Sequence, residues 1–341
     1  MIELQKCVLS DLGILNFHRS TLFPQNDGSG VFKTLFTTIC GSDLRIFEHG
    51  DSRISEPRAL GHEIVAVVVS PGLREDLNPG DFVAIGADIP CKSCFYCAKG
   101  FETNCEEHIA VGYQFDGGFS NHIVIPCNFL LNAPIVKLAP SDLIEAYCLA
   151  EPAACVIHGL EYSNVRQDQR ILVVGAGPVG LMIGKLAIDL FQVNKDDITF
   201  IERSDMRKRF AESLGLQTLS EMPKAGNSFD RIFTANSDPS SIKGILGYLD
   251  KGGMVNFFGG LPKGAGFIEI DVNTLHYREM TLGGSHGSTP MHHMRAVNEI
   301  SKNEKFWSSI ITKKMSFRQI PEALGILRSG TEMKVAIQYE N

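Results

Sequence analysis

The stretch Arg170-Ile-Leu-Val-Val-Gly175-Ala-Gly177-Pro178-Val179-Gly180 sets the fold. Arg170–Val174 reads as a strand, and the apolar run Leu181–Leu190 behind the glycines reads as a helix. A Gly-x-Gly-x-x-Gly turn alone is a weak signal. A strand before it and a helix after it are the context that a dinucleotide site requires. Gly175 permits the tight turn, Gly177 lets the backbone approach a pyrophosphate, and Gly180 lets the helix pack on the strand. Pro178 and Val179 complete the turn, and the helix N-terminus supplies amide donors and a positive dipole for phosphates. The alternative is an ordinary glycine-rich turn of another α/β protein.

Outward from this turn the pattern repeats. Asp197–Ile201, Arg231–Thr234 and Met254–Phe258 read as further strands, with helices over Arg207–Leu214 and Ser240–Leu249. Such alternation implies an α/β fold, a doubly wound parallel sheet of Rossmann type. The strand Ile198–Ile201 ends in Glu202, slightly beyond the ~20-residue distance expected for an acid that binds an adenosine ribose. Glu202 favours NAD, because a carboxylate bonds the ribose hydroxyls and repels a 2′-phosphate. Arg203, Ser204 and Arg207 carry the opposite reading, a cradle for that phosphate in NADP. NAD is the expectation and NADP the alternative.

Before about Ser141 the chain is different. Short apolar runs bounded by Gly, Pro, Asn and Asp read as strands: Val31–Ile39, Ile64–Val69, Asp81–Ile85 and His122–Ile125. Ser141 reads as the cap of a helix. The C-terminal part opens on a helix, Met291–Ser301, and closes on a strand, Val335–Ile337. Within the β-rich half stand Cys91, Cys94, Cys97 and Cys105, at spacings of three, three and eight. Two-residue gaps let neighbouring thiolates converge on one ion, and the longer gap lets the loop fold back to close a tetrahedron. Four sulfurs leave no open position, so the site braces a loop and performs no chemistry. Iron–sulfur ligation uses similar spacings and is the alternative. Four unbound thiols fit poorly in a loop that also carries Lys92, Ser93, Lys99 and Glu102.

Composition narrows the class. The 341 residues exceed one domain of roughly 100–200 residues, so two are expected. The net charge of -7, without a basic stripe, argues against a nucleic-acid partner. The longest apolar stretch, Ile171–Gly184, is shorter than the roughly 20 residues of a membrane span and holds four glycines and a proline. The N-terminus shows no secretory pattern, so a cytoplasmic protein is expected. Nine cysteines, an odd number, argue against a disulfide framework.

Three further segments carry ligand-type residues: Cys40-Gly-Ser42-Asp43, Gly61-His62-Glu63 and Ala150-Glu151-Pro152. Each is unremarkable alone, since a lone cysteine is more often a core residue. In order with the cysteine loop, Asp116-Gly-Gly-Phe119, the glycine turn and Met333-Lys334-Val335, they span the chain. With them the sequence resembles the zinc-dependent medium-chain dehydrogenases, particularly the sorbitol, threonine and sugar dehydrogenase branches.

The resemblance implies a mostly β, GroES-like catalytic domain over residues 1–150, a Rossmann-type domain over 151–288 and a return of 289–341 to the first, with the active site in the cleft. It implies two zinc ions per chain. One is structural, on Cys91, Cys94, Cys97 and Cys105. The other is catalytic, held by Cys40, His62 and Glu151, with Glu63 near or on the metal and Cys155 a rival ligand. Ser42 matches the hydroxyl that takes the substrate proton, and Asp43 the carboxylate that orients His62. Ser237, Gly259, Ser285 and His286 are implied near the cofactor, and Lys334 at its phosphates. The implied activity is hydride transfer between a secondary alcohol of a polyol, sugar or related small molecule and NAD(P), with zinc as Lewis acid. Relatives of this kind imply a homodimer or homotetramer.

One position departs from the pattern. A His is common five residues after the ligand Cys, at the end of the proton relay; here Arg45 stands there, and it cannot act as a base. His49 or bulk water is expected to take the proton. His18, His108, His122 and His158 lack partners at ligand spacing; His292 and His293 start a helix read as lining the cleft, and adjacent helical positions point different ways, which argues against a paired metal site. Arg45, Arg53 and Arg58 either read a phosphate or carboxylate of the substrate or are solvated loop residues. The rival functions are a reductase of quinones or enones without catalytic zinc, and a non-catalytic nucleotide-binding relative.

Overall fold

Ile171–Val174 is a completely buried strand within a six-stranded parallel sheet. The computed structural model describes residues 1–23, 26–223, 228–262, 264–267 and 269–340. In sheet order the strands are Gln217–Leu219, Ile198–Ile201, Ile171–Val174, Phe229–Thr234, Leu249–Phe257 and Thr281–Gly284. The order reverses direction at Ile171–Val174, the switch point of a doubly wound sheet. Helices Pro178–Phe191 and Asp205–Ser213 follow the first two strands in sequence. The expected helix Ser240–Leu249 is instead two short 3-10 turns, Pro239–Ile242 and Ile245–Tyr248. Gly244, at φ 72°, separates them. A left-handed glycine between the turns prevents one continuous helix.

The chain divides into two compact units, Met1–Ala154 with Gly287–Asn341, and Cys155–His286. The first boundary lies inside the helix Ala150–Tyr162, which continues unbroken across it two residues after Pro152. The first unit is built on a seven-stranded sheet. Glu63–Ser70 and Gly30–Thr38 pair antiparallel at its middle, and Lys334–Gln338 pairs with Gly30–Thr38 on the other side. That pairing returns the C-terminal segment to the N-terminal half. One face is closed by Phe32, Ile64, Val83, Ile85, Ile123 and Ile125. Another cluster gathers Ile39, Ile46, Leu60, Phe119 and Ile337. Each such side chain, fully buried, contributes about 1.5–3 kcal/mol.

Local reading had limits in this unit. The hairpin Ile2–Asp11 and Ile14–Leu22 and the helix Gly41–His49 carry no strong period. Ser141 does not cap an α-helix. Its hydroxyl accepts the Leu143 N–H at 3.0 Å, and a 3-10 segment, Ile144–Leu149, then leads into the helix Ala150–Tyr162. Among the described residues no helix is long and apolar enough to cross a membrane.

Candidate metal and cofactor sites

The Cys-Gly-Ser-Asp segment is a helix start in which Cys40 occupies the cap position, extended at φ −95° and ψ 153°. Asp43, three residues on, returns its carboxylate to the Cys40 N–H at 2.9 Å. This reciprocal cap fixes the turn that presents Cys40. The other Asp43 oxygen accepts the Gly61 N–H at 3.3 Å and lies 3.4 Å from His62 Nδ1. The His62 contact is electrostatic and not a well-aligned hydrogen bond. Ser42 Oγ is 3.2 Å from His62 Nε2. Burial alone would push the His62 pKa down, but the Asp43 carboxylate outweighs it and holds the imidazole well above its ordinary value.

The Asp116-Gly-Gly-Phe119 motif holds the His62 loop in place. Gly117, Gly118 and Phe119 donate to the carbonyls of Ala59, Gly61 and Leu60, each at 2.8 Å. A Cβ on Gly117 would meet the Gly61 oxygen at 1.9 Å, so only glycine permits this approach. Asp116 adds an acceptor for the Ala59 N–H at 3.0 Å.

One ligand atom from each of Cys40, His62 and Glu63 lies within 4.8 Å of the others. Glu63 is fully buried, and its two oxygens are engaged, one by the Thr38 hydroxyl and one by Lys334 Nζ at 2.7 Å. Of the two expectations for Glu63, this geometry favours a place beside an ion over a place on it. Lys334 belongs to this buried pair. Burial opposes its charge, and Glu63 more than compensates, raising its pKa. Glu151 is buried in the first turn of its helix, but it does not join the group of three. Its carboxylate lies within 4.8 Å of that of Asp88. Asp88 accepts from the Ser288 N–H at 2.7 Å and sits 2.9 Å from His108 Nε2. Asp88, Tyr113 and Thr38 escaped sequence reading, since a single acid, tyrosine or threonine in a strand-rich segment carries no spacing signal. His49, one of the two expected proton acceptors beside bulk water, is largely exposed, with its ring nitrogen 3.9 Å from Glu48.

The four sulfurs of Cys91, Cys94, Cys97 and Cys105 also converge within 4.8 Å of one another. A tetrahedral zinc with Zn–S bonds of about 2.3 Å spaces its sulfurs by about 3.8 Å, and the Cys94 and Cys105 sulfurs are 3.9 Å apart. An iron–sulfur cluster, with several metal atoms inside the thiolates, would need wider spacing. Backbone N–H groups already point at the sulfurs, from Cys94 to Cys91 at 3.3 Å and from Cys91 to Cys105 at 3.2 Å. The Ser93 N–H lowers the Cys91 pKa to about 6, while burial raises that of Cys97 to about 12. The donor set therefore fits a single zinc.

In the second unit the glycine turn has the geometry its sequence suggests. Gly175 has φ 110°, and a Cβ on Gly180 would meet the Gly175 oxygen at 1.9 Å. At Gly177 the nearest atom is an Arg207 guanidinium nitrogen, 3.6 Å from an added Cβ, so the backbone there is open to a phosphate. Glu202 accepts from the Ala176 N–H at 2.9 Å and the Ser204 N–H at 2.8 Å. Arg203 is drawn aside by an ion pair with Asp238. Gly259 N–H donates to the Thr234 carbonyl, and Ser237 is exposed just beyond the end of that strand. Ser285 is buried, with its hydroxyl bound to Asn256 at 3.0 Å, whereas His286 is exposed.

Comparison with known proteins agrees with this architecture. Residues 27–135 match the alcohol dehydrogenase GroES-like domain family. The L-galactonate-5-dehydrogenase of Escherichia coli (strain K12) is 29% identical over 276 residues, 77% of each chain. An L-threonine 3-dehydrogenase of Coxiella burnetii is 27% identical over 326 residues, 91% of this chain and 92% of that one. The crystal structure of an alcohol dehydrogenase from Thermotoga maritima shares the fold, with a TM-score of 0.90 at 23% identity over 100% of both chains. These observations define an α/β protein with a GroES-like domain and a Rossmann-type sheet. The chain carries the GroES-like domain of alcohol dehydrogenases and over most of its length is similar to polyol, sugar and threonine dehydrogenases, a similarity consistent with the zinc-dependent medium-chain family.

Proposed function

We propose that the protein is a zinc-dependent, nicotinamide-linked dehydrogenase of a secondary alcohol in a polyol, sugar or related small molecule. The observation that carries the reading is the convergence of Cys40, Ser42 and His62, braced by Asp43. A quinone or enone reductase has no use for this donor set, and a non-catalytic relative has no use for its buried support.

When bound, the zinc supplies Lewis acidity that lowers the alcohol pKa, and the nicotinamide supplies the hydride acceptor. Cys40 and His62 would hold the zinc, and Glu151, which stands outside the converged group, is our proposed third ligand. Asp43 keeps the imidazole of His62 oriented through Nδ1. Ser42 Oγ, 3.2 Å from His62 Nε2, is placed to take the substrate proton and pass it to bulk water, because His49 lies out in solvent. Glu63 and Lys334 hold this wall in place as a buried ion pair. In the second unit Gly175, Gly177, Pro178, Val179, Gly180 and Arg207 would cradle the pyrophosphate. Glu202, anchored by two backbone N–H groups, supports NAD over NADP.

Metal analysis and a spectrophotometric panel test the reading. Two zincs per chain, one lost in Cys40→Ser, together with NADH formation from polyols or aldoses, would bear it out. One zinc that survives Cys40→Ser, with no alcohol oxidised, would sink it.

A further inference from the structure

We propose that the substrate carries an oxyanion, a carboxylate or a phosphate, and that Arg53, backed by Arg45, binds it at the rim of the Cys40–His62 site. The inference rests on the dehydrogenase reading above and narrows its substrate class. The Arg53 guanidinium lies 4.2 Å over the ring of Tyr113. Tyr113 is buried, and its ring centroid is 5.7 Å from that of His62. One buried aromatic ring therefore separates the guanidinium from the imidazole, and the two distances to that ring bound their separation at about 10 Å.

The charges at this rim do not cancel. Asp51 accepts from Arg53 Nε at 2.9 Å and from Nη2 at 2.8 Å, two of the five N–H donors of a guanidinium. Arg45 leans on the same Asp51 carboxylate at 3.6 Å. Two permanent cations share one acid, which leaves a formal charge of about +1. Of the neighbouring charges, Glu48 pairs with Arg328, while Arg58 shares Asp116 with Lys6. Asp88, an acid that also acts on Arg53, is itself engaged by His108 and the Ser288 N–H. Asp51 sets the fork so that three donors point away from it, the planar arrangement that oxyanions accept. Arg58 is set apart by its place: it pairs with Asp116, whose carboxylate also accepts the Ala59 N–H ahead of the His62 loop.

The test uses the zinc-loaded enzyme and three substrates with the same reacting carbinol: a neutral polyol, the matching aldonate and the matching polyol phosphate. The expected result is a higher kcat/KM for one of the two anions than for the polyol. In Arg53→Gln the anion-to-neutral ratio should fall by about tenfold to a hundredfold, the effect of losing one charge-assisted hydrogen bond, mainly through KM. Arg53→Lys should restore part of it, and Arg45→Gln should weaken it less. The aldonate and phosphate arms separate the two oxyanions. A wild-type enzyme that prefers the neutral polyol, or an Arg53→Gln variant whose ratio is unchanged, overturns the proposal. If no alcohol is oxidised, the dehydrogenase reading fails instead. Calorimetric binding of the aldonate and the polyol phosphate then decides the arginine: loss in Arg53→Gln supports it, and equal binding rejects it.

Discussion

The cysteine loop and the Cys40–His62 site use the same kind of chemistry and are built in opposite ways. The loop takes four sulfurs from fifteen consecutive residues, Cys91 to Cys105, and orients them with its own backbone N–H groups. Two of the four cysteines, Cys91 and Cys94, are only partly buried. The second site gathers Cys40, Ser42 and Asp43 from a helix start and His62 and Glu63 from a strand start. It is backed by Lys334, 271 residues from Glu63. Its support is buried, and its acids are tied to distant segments, Asp43 to Gly61 and Glu63 to Thr38 and Lys334. A local site depends on its own loop, whereas an assembled site depends on the whole unit.

The largest effect expected from this contrast is at the assembled site. Cys40→Ser or His62→Asn should lower kcat/KM by at least about a thousandfold, roughly 4 kcal/mol of transition-state stabilisation. Circular dichroism should remain native, and zinc should fall from two per chain to one. If Cys97→Ser caused the same loss of activity with its metal still in the other site, the two regions would not be independent.

Next in size is the buried ion pair. Lys334→Met leaves Glu63 as an uncompensated buried charge and should cost about 3–5 kcal/mol in urea unfolding. Lys334→Met combined with Glu63→Gln should cost less than the sum. Additive losses would show that the two residues are not coupled.

Burial also gives the interior of this unit a pH response of its own. His293 is buried near the Ala84 carbonyl, and burial lowers its pKa to about 4. The sequence placed His293 along a cleft, but its ring instead packs on Gly86, where a Cβ would meet Nδ1 at 2.8 Å. A folded imidazole that resists protonation leaves stability complete above pH 6.5, the ordinary histidine value. Stability is then lost as the pH falls from 6.5 towards 4, because the unfolded chain takes up the proton first. The loss should be about 3 kcal/mol, and His293→Phe should remove that part of the profile. Trp307, the one tryptophan and fully buried in the same unit, reports the unfolding by fluorescence.

The smallest effects belong to the cysteine loop and to the exposed His49. Cys97→Ser should release one zinc and open the loop to proteolysis, with a fall in Tm of only about 2–4 °C for each kcal/mol that the loop contributes. His49→Ala should leave the pH–rate profile unchanged, since that imidazole stands in solvent beside Glu48. A shifted profile would return His49 to the proton path.

Much of the molecule was legible before its structure. The glycine turn with strand before and helix after it marked the parallel sheet, because its glycines are required by backbone approaches that no side chain permits, as at Gly180. The cysteine spacing alone brought four sulfurs together, since a short loop has little freedom to do otherwise. The Asp116-Gly-Gly-Phe119 motif was visible but mute. Its task, holding the His62 loop through three hydrogen bonds, needs two loops distant in sequence to lie side by side.

By itself, then, the sequence determined what is encoded over a few residues: periodicity, turn chemistry and closely spaced ligands. Tertiary structure decided what depends on distant segments meeting in a low-dielectric interior. It joined Lys334 to Glu63, placed Glu151 beside Asp88, paired Arg203 with Asp238, and set Arg53 over Tyr113. No spacing rule reaches across such separations, because the buried polar partner of a residue is whichever group the fold brings within hydrogen-bonding distance of it.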